Sequence, residues 1–169
     1  MTIHDIPAAV QDTVTAGGYV MLVPPALGAP WRFQGGIFSG SVMDPTGNPL
    51  KDYYLVLGLH DPPGRLTWDA AHLWTQRQQL AGEHEDAIQD YTLPSILELE
   101  LLRSHARVYL QAEPYWARPR LFFAEDQAFA VDIADGFTYK HSTSDRLGVR
   151  GVRRVAMRKF DMSRRRRGR

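Results

Sequence analysis

Near the middle of the chain, Leu93, Pro94 and Ser95 lead into Glu98 and a run of leucines at 97, 99, 101 and 102. Serine with glutamate three residues on is a capping box. The serine side chain accepts from the glutamate's backbone N–H, and the carboxylate reaches back to the serine's own N–H. A helix therefore starts here. Its four leucines occupy most of the helical circumference, which predicts a helix buried on nearly every side. Such a helix needs layers around it, so the flanking segments must supply sheets.

The flanks read that way. "GGIFSGSVM" and "KDYYLVLGL" bracket "DPTGNPL", a turn built of Asp, Pro, Gly and Asn, and together predict an antiparallel hairpin with a long loop. "HDPPG" closes the second strand. "TWDAAHLWTQRQQLAG" predicts a helix with Thr67 as N-cap, Asp69 in its first turn and Gly82 at its end. Ala70, Leu73, Trp74 and Ala81 are its expected apolar stripe. "AEPYWARPR" follows the second helix, and after it "QAFAVDI" and "GFTYKH" flank Ala134-Asp135-Gly136, a strong hairpin signal. "LGVRGVRRVAM" is a last strand. Strands, two helices and strands again predict an α+β fold with a twisted antiparallel sheet.

The termini differ from this body. "IPAAVQDTV" is expected to form a short helix and Gly18 to Val23 a strand, before "PPALGAP" interrupts regular structure. The expected division is an arm over 1–30, a domain over 31–157 and a basic tail over 158–169. From Arg150 onward lie ten of the 20 Lys and Arg but only one of the 19 acids, Asp161. An acidic body with a basic end points to a tail that pairs with acidic protein surface or with nucleic acid, whose phosphate contacts are salt-sensitive. No aromatic residue follows Phe160, so base stacking is not indicated.

Composition narrows the chemistry. The chain has 169 residues, 44% hydrophobic, enough for one core. It lacks an apolar run of about 18 residues, so no transmembrane helix is expected. Its first residues lack the basic n-region of a secretion signal. It has no cysteine, which removes disulfides, thiolate metal sites and cysteine nucleophiles, and fits synthesis in a reducing cytoplasm.

The motifs in order resemble a family. Leu93, Pro94, Ser95, Glu98 and Leu99 match a Leu-Pro-Thr then Glu-Leu piece. Tyr115 and Trp116 match a Tyr-Trp-Ser-Ser piece, and Ala128 and Phe129 stand at an Ala-Trp position. Asp135, Gly136 and Phe137 make an Asp-Gly turn, and Val149 to Arg154 match a closing Val-Arg-Ala-Val-Arg-Arg. Over roughly residues 35–157 the chain resembles the Lcl C-terminal-type domain of the C-type-lectin-like superfamily. That superfamily also holds formylglycine-generating enzymes and the variable proteins of diversity-generating retroelements, and many members are encoded by phages and prophages. The resemblance implies the C-type-lectin-like fold and a ligand surface between Trp116 and Leu147. Ala117 and Arg118 stand where the family has serines, and Phe129 where it has tryptophan, so the ligand is not carried over with the fold.

Catalysis is not expected. The copper chemistry of the formylglycine-generating relatives uses cysteines. The Glu-Pro-Asn or Gln-Pro-Asp motif of calcium-dependent lectins is absent, and no set of six to eight oxygen ligands can be assembled. The six histidines (4, 60, 72, 84, 105 and 141) show no His-x-x-x-His or His-x-His spacing, and "GEHED" reads as a solvated polar loop. His72 and His105 are expected to be structural. There is no Gly-x-Ser-x-Gly elbow and no phosphate-cradling loop with its lysine. No metal or cofactor is expected.

The expected function is non-enzymatic recognition of a protein or a glycan, in a chain made in the cytoplasm and carried on a virion appendage. The arm is expected to serve assembly, which makes a homo-oligomer an expected partner too; a membrane is not. An intracellular effector that inhibits a host system is the alternative, and an enzyme of unrecognised type a further one. Arg118, Arg120, Phe123, Tyr139 and His141 are the expected exposed contacts, since arginine and aromatics dominate binding hot spots. Trp116 is expected either to join them or to fill the core. Ser95, Glu98 and Arg150 are expected to be structural, with Arg150, 153 and 154 on alternating faces of the closing strand and pairing with carboxylates such as Asp132, Asp135 or Glu98.

Overall fold

Glycine and hydrophobic residues alternate with little polar interruption through "GIFSGSV" and "YYLVLG", and these segments form β4 (Gly36–Val42) and β5 (Tyr53–Gly58). A computed structural model of the protein describes residues 13–16, 19–31, 34–78, 90–121 and 124–160. The two strands pair antiparallel, with a register shift between Phe38 and Gly40. Gly40 holds φ +130° at this bulge, a conformation L side chains rarely adopt. β3 (Pro30–Trp31) and β9 (Val152–Ala156) complete a four-stranded sheet in the order β3-β4-β5-β9.

A second sheet holds β6 (Pro114–Arg120), β7 (Gln127–Asp132) and β8 (Thr138–Ser142) in sequence order. β6 thus begins inside "AEPYWARPR", three residues after Gln111. The Asp-Gly signal is met at the β7–β8 turn. Gly136 there has φ +82°, and a Cβ on it would lie 2.8 Å from the Arg103 guanidinium carbon. A third sheet joins β1 (Thr13–Ala16) and β2 (Tyr19–Leu22) to β10 (Arg158–Phe160). The expected arm and the start of the expected tail therefore meet, because β10 pairs antiparallel with β2. Of the helix expected over Ile6 to Val14, residues 6–12 lie outside the described residues, and Thr13 and Val14 are in β1 instead. The arginine run from 164 lies outside them as well.

Of two helices, α2 (Ile96–His105) packs between the first two sheets and α1 (Trp68–Gln76) against the second alone, and a 3-10 turn (Arg107–Tyr109) follows α2. The mixed α+β class with antiparallel pairing is as the sequence predicts, but the strands are divided among three sheets rather than gathered in one. α2 starts at the expected capping box, with both reciprocal bonds formed. It is buried on one side only. Leu99 and Leu102 are fully buried, but Leu97 is 60% exposed, so the all-round burial read from four leucines is wrong. The third buried position belongs to Glu98, which is wholly buried, and Leu101 is half-buried. Leu99 and Leu102 pack between Ile37, Leu55 and Leu57 of one sheet and Tyr115, Ala117 and Val131 of the other.

α1 departs further from expectation. It ends at Gln76, and Thr67 makes no side-chain cap bond. Its buried residues are Ala71 and Thr75, while Ala70 and Leu73 of the expected stripe face solvent and Ala81 lies outside the described residues. Ala71 packs on the opposite face of the β6–β8 sheet, with Leu93, Trp116, Ala128 and Ala130. Small residues at 128 and 130 leave the volume that the Trp116 indole fills.

Candidate recognition surface

The β7–β8 hairpin carries the most exposed aromatic side chains of the second sheet. Phe137 is 65% exposed and Tyr139 44% exposed. Their rings stand 6.5 Å apart at 61°, an edge-to-face pair. One carboxylate ties the turn backbone to the second ring: Asp135 Oδ1 accepts the Phe137 backbone N–H at 2.7 Å, and Oδ2 accepts the Tyr139 hydroxyl at 2.9 Å. That bond to Asp135 raises the Tyr139 hydroxyl above the ordinary tyrosine value. A turn backbone and a tyrosine ring held by one side chain lose little freedom on meeting a partner, which favours binding.

The neighbouring rows rest on the core. Trp116, Ala130 and Tyr139 are cross-strand partners, and Ala128 faces His141 in the next row. Trp116 is fully buried and donates its indole N–H to Leu66 O at 2.8 Å. It is a core residue, the second of the two roles the sequence offered. His141 stands on it edge-on, 6.1 Å away at 87°, and lies 3.4 Å from Asp145 Oδ2. About a quarter of the His141 side chain, 27%, reaches solvent.

Arg118 is exposed, and its backbone N–H donates to Pro94 O at 2.8 Å. Partial burial, together with the nearby Arg154, lowers the pKa of its guanidinium. Arg120 is engaged within the molecule. Its guanidinium carbon lies 4.7 Å above the Trp68 ring, and the same group pairs with Asp69. Trp68 in turn stacks on His72 (5.4 Å, 7°) and donates its indole N–H to Ala117 O. Arg120 thus clamps α1 to β6 by a cation–π contact and an ion pair. Phe123 lies outside the described residues.

Ser95, Glu98 and Arg150, expected to be structural, each make contacts within the molecule. Ser95 caps α2. Glu98 accepts from Arg154, Tyr53 and the Ser95 N–H. Burial alone would raise its carboxyl; the Arg154 guanidinium and the Ser95 N–H outweigh that and hold it below the ordinary carboxylate range. Arg150 is buried, but its partners are Asp61 and the Tyr109 carbonyl rather than Asp132, Asp135 or Glu98. It precedes β9, so strand alternation does not govern its direction. Arg153 pairs with Asp90. His105, expected to be structural, places Nδ1 3.0 Å from Ser39 O.

Among the described residues no three histidine, aspartate or glutamate side chains converge as a metal-binding group. No described helix is long and apolar enough to cross a membrane. Phe137 and Asp135 are the surface residues that sequence reasoning did not select. The available signal was an aromatic placed directly after an Asp-Gly turn, read only as turn chemistry. No protein-family model matches the sequence, and no curated protein matches it.

Proposed function

We propose that the chain is a non-enzymatic recognition module on a C-type-lectin-like fold, encoded by a phage or prophage, that binds a protein or glycan through the surface between Trp116 and Leu147. The observation that carries this reading is the edge-to-face pair of Phe137 and Tyr139, exposed at a β7–β8 turn that Asp135 braces through the Phe137 backbone and the Tyr139 hydroxyl. Exposed aromatics cost a soluble domain solubility, and rigidly held ones are the usual anchors of an interface. Arg118, Lys140 and His141 add charged and polar groups on and beside the same hairpin. The fold assignment is supported by the five motifs in their order and by a pair of helices packed with antiparallel sheets. A virion appendage suits such a surface, because many weak sites presented together bind tightly.

The test compares capture by the native chain and by the Phe137→Ala/Tyr139→Ala double variant, from purified particles and from producing cells. The reading expects a partner recovered by the native chain and lost with the double variant. Equal recovery by both removes this surface from the function. Recovery from cells but never from particles replaces the virion role with an intracellular one.

A further inference from the structure

At the other end of β6, three loops border a half-open cavity of about 170 Å³. One follows β5 and brings Asp61 and Arg65; one precedes β6 and brings Gln111 and Glu113; one precedes β9 and brings Gly148. The loops are tied together by backbone bonds. Leu66 and Leu147 exchange N–H and carbonyl groups at 3.0 and 3.1 Å, and Gly148 N–H donates to Pro114 O at 3.0 Å. The cavity is therefore built into the fold. Gly148 is required at its floor: a Cβ there would lie 2.8 Å from Glu113 Oε1 and 3.0 Å from Tyr115 Cε1.

Its charges are already balanced. Arg65 places both Nε and Nη2 on Glu113 Oε2, at 2.9 and 2.5 Å. The buried Arg150 sets Nη1 2.9 Å from Asp61 Oδ1. Each guanidinium engages one oxygen of its carboxylate, so Glu113 Oε1 and Asp61 Oδ2 retain acceptor capacity. The Gln111 amide contributes both a donor and an acceptor. Pro62, Val149 and the Tyr115 ring supply apolar wall.

We infer that this cavity binds one neutral polyhydroxylated unit, a single sugar residue. A net anion or cation would find no uncompensated opposite charge here. A molecule with several hydroxyls would donate to the two free carboxylate oxygens, accept from guanidinium and amide N–H groups, and lay its C–H face on the Tyr115 side. The volume is below the roughly 300–1,000 Å³ of pockets for drug-sized ligands, which limits the occupant to one residue. The site is separate from the hairpin surface and does not depend on the function proposed for that surface.

The experiment is an amide-resolved NMR titration of the full chain with D-glucose, D-galactose and N-acetyl-D-glucosamine, and with glycine as a zwitterionic comparison. At least one sugar should shift the Gln111, Glu113 and Gly148 amides. Asp61→Asn, which keeps one oxygen for the buried Arg150 and whose fold is checked by a thermal melt, should weaken that sugar about tenfold, the loss expected for a hydrogen bond to a charged group. Glu113→Gln should act alike if it folds, and Tyr139→Ala should leave the affinity unchanged. The inference is overturned if none of the three sugars moves those amides, if glycine moves them as strongly, or if Asp61→Asn binds as well as the native chain.

Discussion

Arg154 on β9 grips the fully buried carboxylate of Glu98 on α2 with two nitrogens, Nε on Oε1 at 2.7 Å and Nη2 on Oε2 at 2.5 Å. The same carboxylate closes the capping box and accepts the Tyr53 hydroxyl at 2.7 Å. One side chain thus joins the helix start, the first hairpin and the closing strand. A buried pair contributes little net stability when intact, yet removing one partner strands a charge away from water. Arg154→Ala should therefore destabilise by about 3–5 kcal/mol, while an Arg154→Met/Glu98→Gln double variant should lose much less. Urea denaturation of the three chains measures this; equal losses in single and double variants would show that packing, not the stranded charge, sets the cost.

The stability of the fold should report on pH from both ends. Glu98 is held below the ordinary carboxylate value, so its contribution is fully present above that value and disappears as pH falls through the folded one. Tyr53 and Tyr91 lie at the alkaline end: burial pushes each from 10.0 to about 12. A group whose folded pKa is raised stabilises below its unfolded value and loses that as pH rises to the folded one. Stability should fall between pH 10 and about 12, and Tyr91→Phe, which removes only the hydroxyl donating to Gly35 O at 2.6 Å, should flatten part of that fall. Melting temperatures across this range, native chain against variant, decide it; parallel curves would remove Tyr91 as a cause.

Position on α2 should separate its leucines. Leu99→Ala and Leu102→Ala open cavities in the wedge between the two sheets and should cost about 2–5 kcal/mol each. Leu97→Ala, at a side chain 60% exposed, should stay within about 0.5 kcal/mol. Ser95→Ala removes the cap bond to the Glu98 N–H and should cost about 1 kcal/mol. Thermal melts rank the four; a Leu97 variant as damaged as Leu102 would contradict the one-sided burial.

What could be read in advance was local. The capping box at Ser95 and the Asp-Gly turn at 135–136 depend on bonds between residues at most four apart, so a short window contains them. The one-sided burial of α2 was hidden because Glu98 is an inward residue that looks polar; its partner Arg154 lies 56 residues away. α1 misled for a related reason. Its contact is set by the space beside Trp116, Ala128 and Ala130, which admits Ala71 and leaves the larger Leu73 outside. Arg150 and Asp61 meet only because loops from three distant segments close on one another, and the same closure makes the cavity. No spacing rule links those segments.

The recognition surface admits the last and most direct test. Trp116 and Tyr139 share a cross-strand row through Ala130, yet one is fully buried and the other 44% exposed. Trp116→Ala should cost about 3–5 kcal/mol, as deletion of a large core aromatic does, and any loss of binding would follow from unfolding. Phe137→Ala and Tyr139→Ala should remain within about 0.5 kcal/mol of native stability, the range for surface sites. If these rings anchor a partner, at least one of them should weaken binding by about 2 kcal/mol or more. Asp135→Asn separates anchoring from orientation. The amide keeps a carbonyl oxygen for one donor but loses the second acceptor, so either the turn backbone at Phe137 or the Tyr139 hydroxyl is released, and binding should fall even though both aromatics remain. Affinity and melting temperature must be measured on the same samples of all four variants. Should Phe137→Ala and Tyr139→Ala fold and bind like the native chain, the partner is recognised elsewhere, and the loop joining β4 to β5, with Met43 62% and Leu50 43% exposed, becomes the next surface to vary.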